Sequence, residues 1–452
     1  MPLNSLPQSL ARDTNTLRIE FFLLLAGLML MAFTLNPMVS GDGAIRYEIV
    51  QAMLDSAKIQ PILYSLVQPF LSMPIAYLAA WSGQDVITYV AYFNFLVFLI
   101  LGFTASTLLC RMYSCKLAVR FLLVLLAASM LPHHLQHYYG EVLTSMLMVT
   151  GFLLLFDKKK LLAIILIGLG IANTPVMIVP AAVTVLAMLV TRSIDRNYTF
   201  TLATAVIFAT LIMALEMYLK FGLSKHPYLV SKGFQTVLPY SGNPGFSYPL
   251  FFGVVSILFS FGKGLLFFIP GLILLFHPAI LEKLRLGKKE RVIIVVFCIS
   301  LILVYSKWWS WYGGSFWGPR FFLILIFPAS IALAAFFDEK THFTPTASAI
   351  FSCVFILSAW VATNGYIFGQ QNMNECWINN FQLEFLCWYV PEFSALWRPF
   401  VSRTLDFGGE RLLFAIWQLV VVGYFLLKII SRDFKLRKFT TLLITNSRAD
   451  DF

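Results

Sequence analysis

The feature that most constrains this chain is a series of apolar stretches that recurs from one end of the sequence to the other. Many of them reach about 17–25 residues, the length at which a helix crosses roughly 30 Å of hydrocarbon. Charged residues make up only 12% of the 452 residues, about half the share that is typical of soluble domains. No soluble domain is interleaved between the stretches, so the sequence predicts an all-α, polytopic membrane protein.

The stretches predict twelve transmembrane helices with both termini on the cytoplasmic side. Most of the 33 Lys and Arg residues lie in segments that this scheme places inside, as expected for membrane proteins. We predict one integral membrane domain over 1–452, with a core at 20–337 and C-terminal helices at 338–452. The two short spans beside Pro175 leave a hairpin or one broken helix open. The predicted spans are 20–36, 86–110, 118–132, 141–156, 161–174, 176–191, 199–220, 264–277, 292–306, 321–337, 345–366 and 411–430.

The first outer segment, 37–85, is predicted to contain an amphipathic helix that lies flat in the membrane interface. Apolar side chains recur every four residues, at Ile45, Ile49, Met53 and Ala57. Polar side chains occupy the other side, at Arg46, Gln51, Asp55 and Lys58. The later part, 61–80, is apolar but contains three prolines, which disrupt helical hydrogen bonding. We therefore predict that 61–80 is only partly embedded, on the outer side.

Asp42 lies between two glycines, directly after the first span. An Asp at a helix N-terminus commonly caps free backbone N–H groups, and this is one interpretation. The other is that its carboxylate acts in chemistry at the membrane surface. We expect both: the cap holds the carboxylate at a cavity mouth, and Arg46, one turn later, pairs with it or orients it.

The second outer segment, "LPHHLQHYYGEVL", places His133, His137 and Glu141 on one face if the turn stays helical. Such spacing can present metal ligands, and the alternative is a set of interfacial His and Tyr residues at a helix end. An acid at the start of a span is costly unless it is solvated or functional. If a divalent ion such as Mg²⁺ or Mn²⁺ takes part, the candidate ligands are Asp42, His137 and Glu141.

Two further outer segments concentrate unusual residues. Lys263 lies between two glycines just before a span, where it either meets a phosphate as a point charge or snorkels to the interface. The block "KWWSWYGGSFWGPRFF" combines four tryptophans and a tyrosine with three glycines and Arg320. An aromatic belt explains the rings but not the glycines or the arginine. Rings beside a guanidinium suit a sugar face and a phosphate.

The outer segment 367–410 contains two of the six cysteines, Cys376 and Cys387. They form a disulfide if that side of the membrane is oxidising, and the spacing alone leaves this open. The other four cysteines, Cys110, Cys115, Cys298 and Cys353, are predicted to be packing residues. The segment itself suits either an acceptor-facing lid or an ordered cap over a cavity.

Four stretches together resemble bacterial membrane glycosyltransferases of the GT-C superfamily, which includes protein O-mannosyltransferases and the aminoarabinose transferase of lipid A. They are "GDGAIRYEIVQAML", "PILYSLVQPFLSMP", "FSFGKGLLFFIP" and "WSWYGGSFWGPRFFLILIFP". The resemblance covers most of 20–337. It implies a GT-C fold and transfer of a sugar from a polyprenyl-phosphate donor to a hydroxyl acceptor on a glycan, lipid or protein, at the outer face of a bacterial inner membrane.

The resemblance also implies roles for individual residues. Asp42 matches the catalytic acid of the first outer loop, although many relatives have a second acid where this chain has Gly43. Lys263 and Arg320 are candidates for binding the donor phosphate, and we add Arg46. The predicted cavity-lining residues are Tyr47, His137, Glu141, Trp308, Trp311, Tyr312 and Trp317.

The chemistry itself needs a cation for the leaving phosphate and a carboxylate base for the acceptor hydroxyl. A single base in a direct displacement predicts inversion at the anomeric carbon. Two other functions remain open: a polysaccharide polymerase or ligase that transfers a whole lipid-linked glycan, and a secondary transporter. Transporters typically show internal repeats and ionisable groups at mid-membrane. This chain shows no clear repeat, and Glu216 is its main charge within a span.

Overall fold

The computed structural model describes residues 8–56, 59, 61–62, 64–191, 196–222, 235–243, 245–285, 287–338, 343–402 and 409–449. Within these ranges the chain is α-helical, with no strand and one isolated β-bridge between Met38 and His137. The longer helices are Gln8–Thr34, Asp42–Ser56, Val67–Trp81, Val86–Met112, Cys115–Ala127, Gly140–Phe156, Lys160–Asn173, Pro175–Thr191, Arg196–Phe221, Leu250–Phe259, Lys288–Ser306, Arg320–Phe336, Pro345–Ile367 and Gly409–Ala449.

The shorter helical segments connect these helices or cover their outer ends. They are Leu131–His134, Leu265–Phe268, Pro270–Phe276, Pro278–Lys283, Gly369–Cys376, Ile378–Phe381, Glu384–Tyr389, Pro391–Phe393 and Arg398–Phe400. The last five lie in the predicted outer segment 367–410. The described part of that segment, 367–402, therefore consists of short helical turns.

Five helices among the described residues are long and apolar enough to cross a membrane. They contain Thr14–Thr34, Val86–Met112, Arg196–Phe221, Pro345–Ile367 and Gly409–Asp433. Five shorter apolar helices accompany them, and the exposed large side chains on these helices are mostly apolar. The chain is an all-α polytopic membrane protein, as its apolar stretches predicted.

A helical segment coincides with each of the twelve predicted spans. The structure differs from the prediction at two places, one before Lys263 and one after it. Leu250–Phe259 is a helix that the sequence interpretation missed. The predicted span 264–277 is broken into Leu265–Phe268 and a 3₁₀ segment, Pro270–Phe276, because Pro270 has no N–H to continue the ladder. The chain is also interrupted at Thr174, between two separate helices.

The prolines of segment 61–80 interrupt its helix less than the sequence suggested. From Val67 onward the chain is a regular helix, Val67–Trp81, with Pro74 inside it. Pro69 lies in the first turn, where a missing N–H costs nothing, so only Pro74 removes a hydrogen bond from the ladder. The helix exposes Phe70, Tyr77 and Trp81, side chains that suit contact with lipid.

The helix of the first outer segment, Asp42–Ser56, does not have the predicted faces. Arg46 and Tyr47 are buried together with Ile49 and Val50, although the periodicity assigned Arg46 to the polar side. Protein covers the helix on more than one side, as shown by Gly43, where a Cβ would lie 2.8 Å from the carbonyl oxygen of Tyr138. Ala57 and Lys58 lie outside the described residues. The helix is thus packed into the protein.

The outer turns are tied together by backbone groups rather than by strands. The N–H of Met38 donates to the carbonyl of Gln136 at 2.7 Å, and the N–H of Tyr138 donates to the carbonyl of Met38 at 3.2 Å. The buried amide of Asn94 donates to the carbonyls of His137 and Tyr139. These bonds hold the end of the first span beside the turn that precedes Glu141.

A buried ionic cluster joins three helices away from the outer segments. Glu20, fully buried, accepts hydrogen bonds from Arg120 at 3.0 Å and from Lys428 at 2.7 Å. Tyr424 donates to the same carboxylate at 3.2 Å. Arg120 also donates to the carbonyl of Phe337. Since every charge has a partner, the cluster ties the first and last long helices to helix Cys115–Ala127.

Candidate active site

A cavity of about 600 Å³ opens among the outer segments. Its walls come from the first outer segment, the start of helix Gly140–Phe156, the tryptophan–glycine block and the segment 377–384. The side chains discussed below that line it are Asp42, Arg46, Tyr64, Glu141, Thr236, Trp308, Tyr312, Phe316, Arg320, Trp377, Phe381 and Glu384. The structure therefore brings together residues that are up to 342 positions apart.

Arg320 is the centre of the charged part of the cavity. Its guanidinium lies 2.6 Å from the Asp42 carboxylate and 3.4 Å from the Glu141 carboxylate. Its Nε donates to the carbonyl of Gly313 at 2.7 Å, and Phe316 packs on its flat face at 4.4 Å. Only 5% of Arg320 is exposed. A guanidinium so fixed holds two carboxylates in defined positions.

Asp42 is held by two side chains. Tyr64 donates a hydrogen bond to Oδ1 at 2.8 Å, while Arg320 contacts Oδ2. Burial raises the pKa of Asp42, but the charge of Arg320 and the hydrogen bonds from Tyr64 and Arg320 outweigh it, so the pKa lies below its ordinary value. The carboxylate is therefore ionised at neutral pH.

The predicted capping role of Asp42 takes a different form in the structure. Asp42 is the first residue of its helix, and among the described residues its carboxylate is bonded to Tyr64 and Arg320 rather than to backbone N–H groups. The position still places a negative charge at the positive end of the helix dipole. The geometry thus directs the carboxylate into the cavity.

Gly43 explains the absence of a second acid after Asp42. A side chain at this position would meet the carbonyl oxygen of Tyr138 at 2.8 Å, a distance that real Cβ atoms avoid. The second carboxylate of the cavity comes instead from Glu141, through the shared partner Arg320. Where this chain has Gly43, the second carboxylate of the cavity thus comes from another helix.

Arg46 differs from Arg320 because it forms no salt bridge among the described residues, whereas Arg320 contacts two carboxylates. It is 6% exposed and lines the cavity, but its Nε and Nη1 atoms have no hydrogen-bond partner among the described residues. Tyr64 lies against the guanidinium, with the ring centre 5.2 Å from Cζ. A buried cation with free N–H donors is costly unless a ligand supplies acceptors.

Lys263 does not line the cavity, unlike the prediction for a phosphate-binding residue. Its ammonium is buried and donates to the carbonyls of Gly314 at 3.1 Å, Gly318 at 2.9 Å and Phe316. The ring of Trp388 lies 4.8 Å away. All three N–H donors of the Lys263 ammonium are used in these bonds. Lys263 therefore holds together the loop that leads to Arg320, and we call this set of contacts the clamp.

The backbone conformation of this loop explains why glycine occupies three of its positions. Gly313, Gly314 and Gly318 have φ values of +76°, +77° and +70°, which residues with a Cβ rarely adopt. These turns direct the carbonyls of the loop inward toward Lys263. The tryptophan–glycine block is therefore one folded loop rather than an aromatic belt alone.

The aromatic residues of the block divide into two groups. Trp308 and Tyr312 line the cavity, as predicted, together with Trp309. Trp311 and Trp317 are buried behind the wall, and the indole N–H of Trp317 donates to Asn364 at 3.1 Å. The sequence identified the aromatic cluster, but the side of the loop that each ring occupies depends on the glycine turns.

His137 and Tyr47 are also buried away from the cavity lining. The helix at His133 ends at His134, so His133, His137 and Glu141 do not share one helical face. The His137 ring stacks on Tyr139, with centres 4.9 Å apart. Burial and the charges of Arg411 and Arg320 lower the pKa of His137 to about 4, so it is neutral at pH 7.

The predicted metal ligands do not fit a shared ion. Among the described residues, no group of three or more His, Cys, Asp and Glu side chains is gathered as metal ligands. Asp42 and Glu141 both face the positive charge of Arg320, which repels a cation from the space between them. His137 is stacked behind Tyr139. No chemical step below is assigned to a metal.

Several lining residues had not been identified from the sequence, among them Tyr64, Thr236 and Glu384. Tyr64 is placed by a second ion pair, because Ser65 donates to Glu216 at 2.9 Å and Lys220 contacts both Glu216 and the carbonyl of Tyr64. The signal was the charge of Glu216 within a predicted span. Its contacts with the first outer segment are visible only in the fold.

The segment with Trp377, Phe381 and Glu384 is closed by a disulfide. Cys376 and Cys387, the pair that the sequence left open, are bonded, with Cα atoms 6.0 Å apart. Cys110 and Cys115, which were predicted to be packing residues, also have sulfur atoms at bonding distance.

The fold resembles two crystal structures of one bacterial enzyme. ArnT from Cupriavidus metallidurans in the apo state gives a TM-score of 0.51 at 14% identity, over 89% of this chain and 77% of that chain. ArnT bound to undecaprenyl phosphate gives a TM-score of 0.50 at 14% identity, over 91% and 77%. This chain has a GT-C fold.

A third solved structure is more distant. The oligosaccharyltransferase of Archaeoglobus fulgidus, tethered to an acceptor peptide, gives a TM-score of 0.45 at 11% identity, over 76% of this chain and 55% of that chain. No protein-family model and no curated protein sequence matches this chain.

Proposed function

We propose that this protein is a membrane glycosyltransferase that moves a sugar from a polyprenyl-phosphate donor to a hydroxyl acceptor. The observation that carries the proposal is the buried guanidinium of Arg46, a residue that lines the same cavity as Asp42 and has two N–H-bearing atoms without a hydrogen-bond partner among the described residues. A phosphate supplies acceptor oxygens with the geometry that a guanidinium prefers. An ionised carboxylate beside it supplies the base for a hydroxyl nucleophile.

The lipid-linked donor is supported by the fold and by an apolar groove. One of the similar ArnT structures is bound to undecaprenyl phosphate. In this chain, helix Gly140–Phe156 contributes Glu141 to the cavity and Val149, Phe152 and Phe156 to a nearly apolar groove further along it. Helix Arg320–Phe336 likewise borders both. A donor with its phosphate at Arg46 can therefore keep its tail among apolar side chains and lipid.

In the proposed reaction, Asp42 accepts the proton of the acceptor hydroxyl as the hydroxyl oxygen bonds to the anomeric carbon. The bond from that carbon to the phosphate oxygen breaks, and its electron pair leaves with the lipid phosphate. Arg46 stabilises the charge that develops on the phosphate, with Arg320 close by. One direct displacement inverts the anomeric configuration, so a product with the donor's configuration would refute this mechanism.

The membrane orientation follows from the distribution of basic residues. With the Lys- and Arg-rich connections in the cytoplasm, both termini lie inside and the cavity faces the outside. We place the protein in a bacterial inner membrane, with the reaction on the periplasmic side.

The test is Asp42→Asn in purified protein, assayed for transfer from a panel of undecaprenyl-phosphate sugars. Asn keeps the size of the side chain but cannot accept the proton, so we expect transfer to fall by roughly 10²-fold or more while donor binding persists. Asp55→Asn is the matched control, since Asp55 is exposed on the same helix and should leave transfer unchanged.

Other outcomes separate the alternatives. Full transfer by Asp42→Asn would refute Asp42 as the base and direct attention to Glu141. A wild-type protein that transfers only preassembled glycans is a polymerase or ligase. One that transfers nothing, yet moves solutes across vesicles, is a transporter.

A further inference from the structure

A third carboxylate, Glu384, lines the cavity on the side of the last outer segment. Only 1% of it is exposed, and its Oε2 atom has no hydrogen-bond partner among the described residues. The salt bridges found among those residues do not include it, and they assign Arg320 to Asp42 and Glu141. A buried carboxylate oxygen without a donor is unfavourable, which points to a ligand that supplies one.

The surroundings of Glu384 indicate what that ligand is. Burial raises the pKa of Glu384. Hydrogen bonds from Thr236, Tyr312 and Trp388 and the positive charge of Lys263 partly oppose the rise. Trp377 and Phe381 line the cavity on the same segment. Carboxylate oxygens accept hydrogen bonds from hydroxyls, and aromatic rings pack against apolar faces. A sugar ring offers both hydroxyls and an apolar C–H face.

The subsite is held by covalent and stacking contacts. The disulfide between Cys376 and Cys387 encloses the stretch that carries Trp377 and Glu384. The ring of Trp388 stacks on Tyr312, with centres 5.0 Å apart and planes inclined by 27°. The disulfide and the stacked rings thus fix the segment that carries the Glu384 carboxylate, as a binding residue requires.

We propose that Glu384 and Trp377 form the subsite for the sugar of the lipid-linked donor, and that this sugar carries no negative charge. The inference rests on the proposed function. With the phosphate at Arg46, the sugar is one bond away and must occupy the remaining space of the same 600 Å³ cavity. A uronic acid would bring a second carboxylate toward Glu384, where like charges repel.

The experiment compares binding of undecaprenyl phosphate with that of undecaprenyl-phosphate hexoses (glucose, galactose and mannose) and of the glucuronate derivative, using purified protein in detergent. We expect the wild type to bind at least one neutral-hexose donor more tightly than the bare lipid, and the glucuronate donor less tightly than that hexose donor. Glu384→Gln should reduce the gain from the hexose about tenfold and leave binding of the bare lipid unchanged. Glu392→Gln, exposed on the same segment, should match the wild type.

Each outcome decides one claim. An equal gain from the hexose in wild type and Glu384→Gln overturns the subsite, and tighter binding of the glucuronate donor overturns the claim that the sugar carries no negative charge. If Glu384→Gln fails to fold, Trp377→Leu, at a residue that is 37% exposed, should show the same loss of gain, and an unchanged gain there overturns the subsite. A wild type that binds no undecaprenyl phosphate at all refutes the proposed function itself.

Discussion

Lys263→Met separates a lysine that binds phosphate from one that clamps a loop. The substitution keeps an unbranched apolar stem and removes the ammonium, so the carbonyls of Gly314, Phe316 and Gly318 lose their shared donor. Each buried acceptor left unpaired costs about 1–3 kcal/mol. After allowance for no longer burying a charge, we expect a loss of about 3–5 kcal/mol, a large part of the total stability of an ordinary domain.

The assay is thermal unfolding in detergent, with and without undecaprenyl phosphate. The clamp predicts a Tm that is lower by several degrees both with and without lipid. Lys289→Met, at an exposed residue, is the control and should unfold like the wild type. A Lys263→Met protein with the wild-type Tm but without lipid affinity would refute the clamp and restore the phosphate-binding role that the sequence predicted.

Two further predictions concern other contacts. Tyr64→Phe removes a hydrogen bond that lowers the pKa of Asp42, so that pKa should rise and the acid limb of kcat/KM should move to higher pH. A pH–rate profile measures this, and an unmoved limb would contradict the role of Tyr64. Glu20→Gln leaves Arg120 and Lys428 buried without their shared carboxylate, and we expect about 3–5 kcal/mol of destabilisation, seen as a lower Tm. A wild-type Tm would show that the cluster adds no stability.

The sequence indicated several of the ionisable residues that line the candidate site. An ionisable group is expensive near a bilayer unless it is used or paired, so Asp42, Glu141 and Arg320 stood out in an apolar background. The structure places all three together in one cavity. The same logic failed for Lys263, because backbone carbonyls satisfy a cation as well as a ligand does, and a sequence does not show where carbonyls point.

Local periodicity was a poor guide to burial in the first outer segment. It assigned Arg46 to an exposed polar face, but the residue is buried beside Tyr64, since the helix is covered by the turn around Tyr138. The candidate metal ligands His137 and Glu141 are separated in the structure for a related reason. The spacing of His137 and Glu141 assumed one continuous helix, whereas the chain makes an extended turn between His134 and Gly140.

By itself, the sequence determined that this chain is an all-α membrane protein, because length and hydropathy decide whether a helix partitions into hydrocarbon. It also predicted that the unusual polar residues are concentrated in the segments that connect the apolar stretches. Only the tertiary structure decided which of those residues share a cavity. Asp42, Glu141, Arg320 and Glu384 come from four distant segments, and their proximity depends on helix packing and loop contacts that no local pattern encodes.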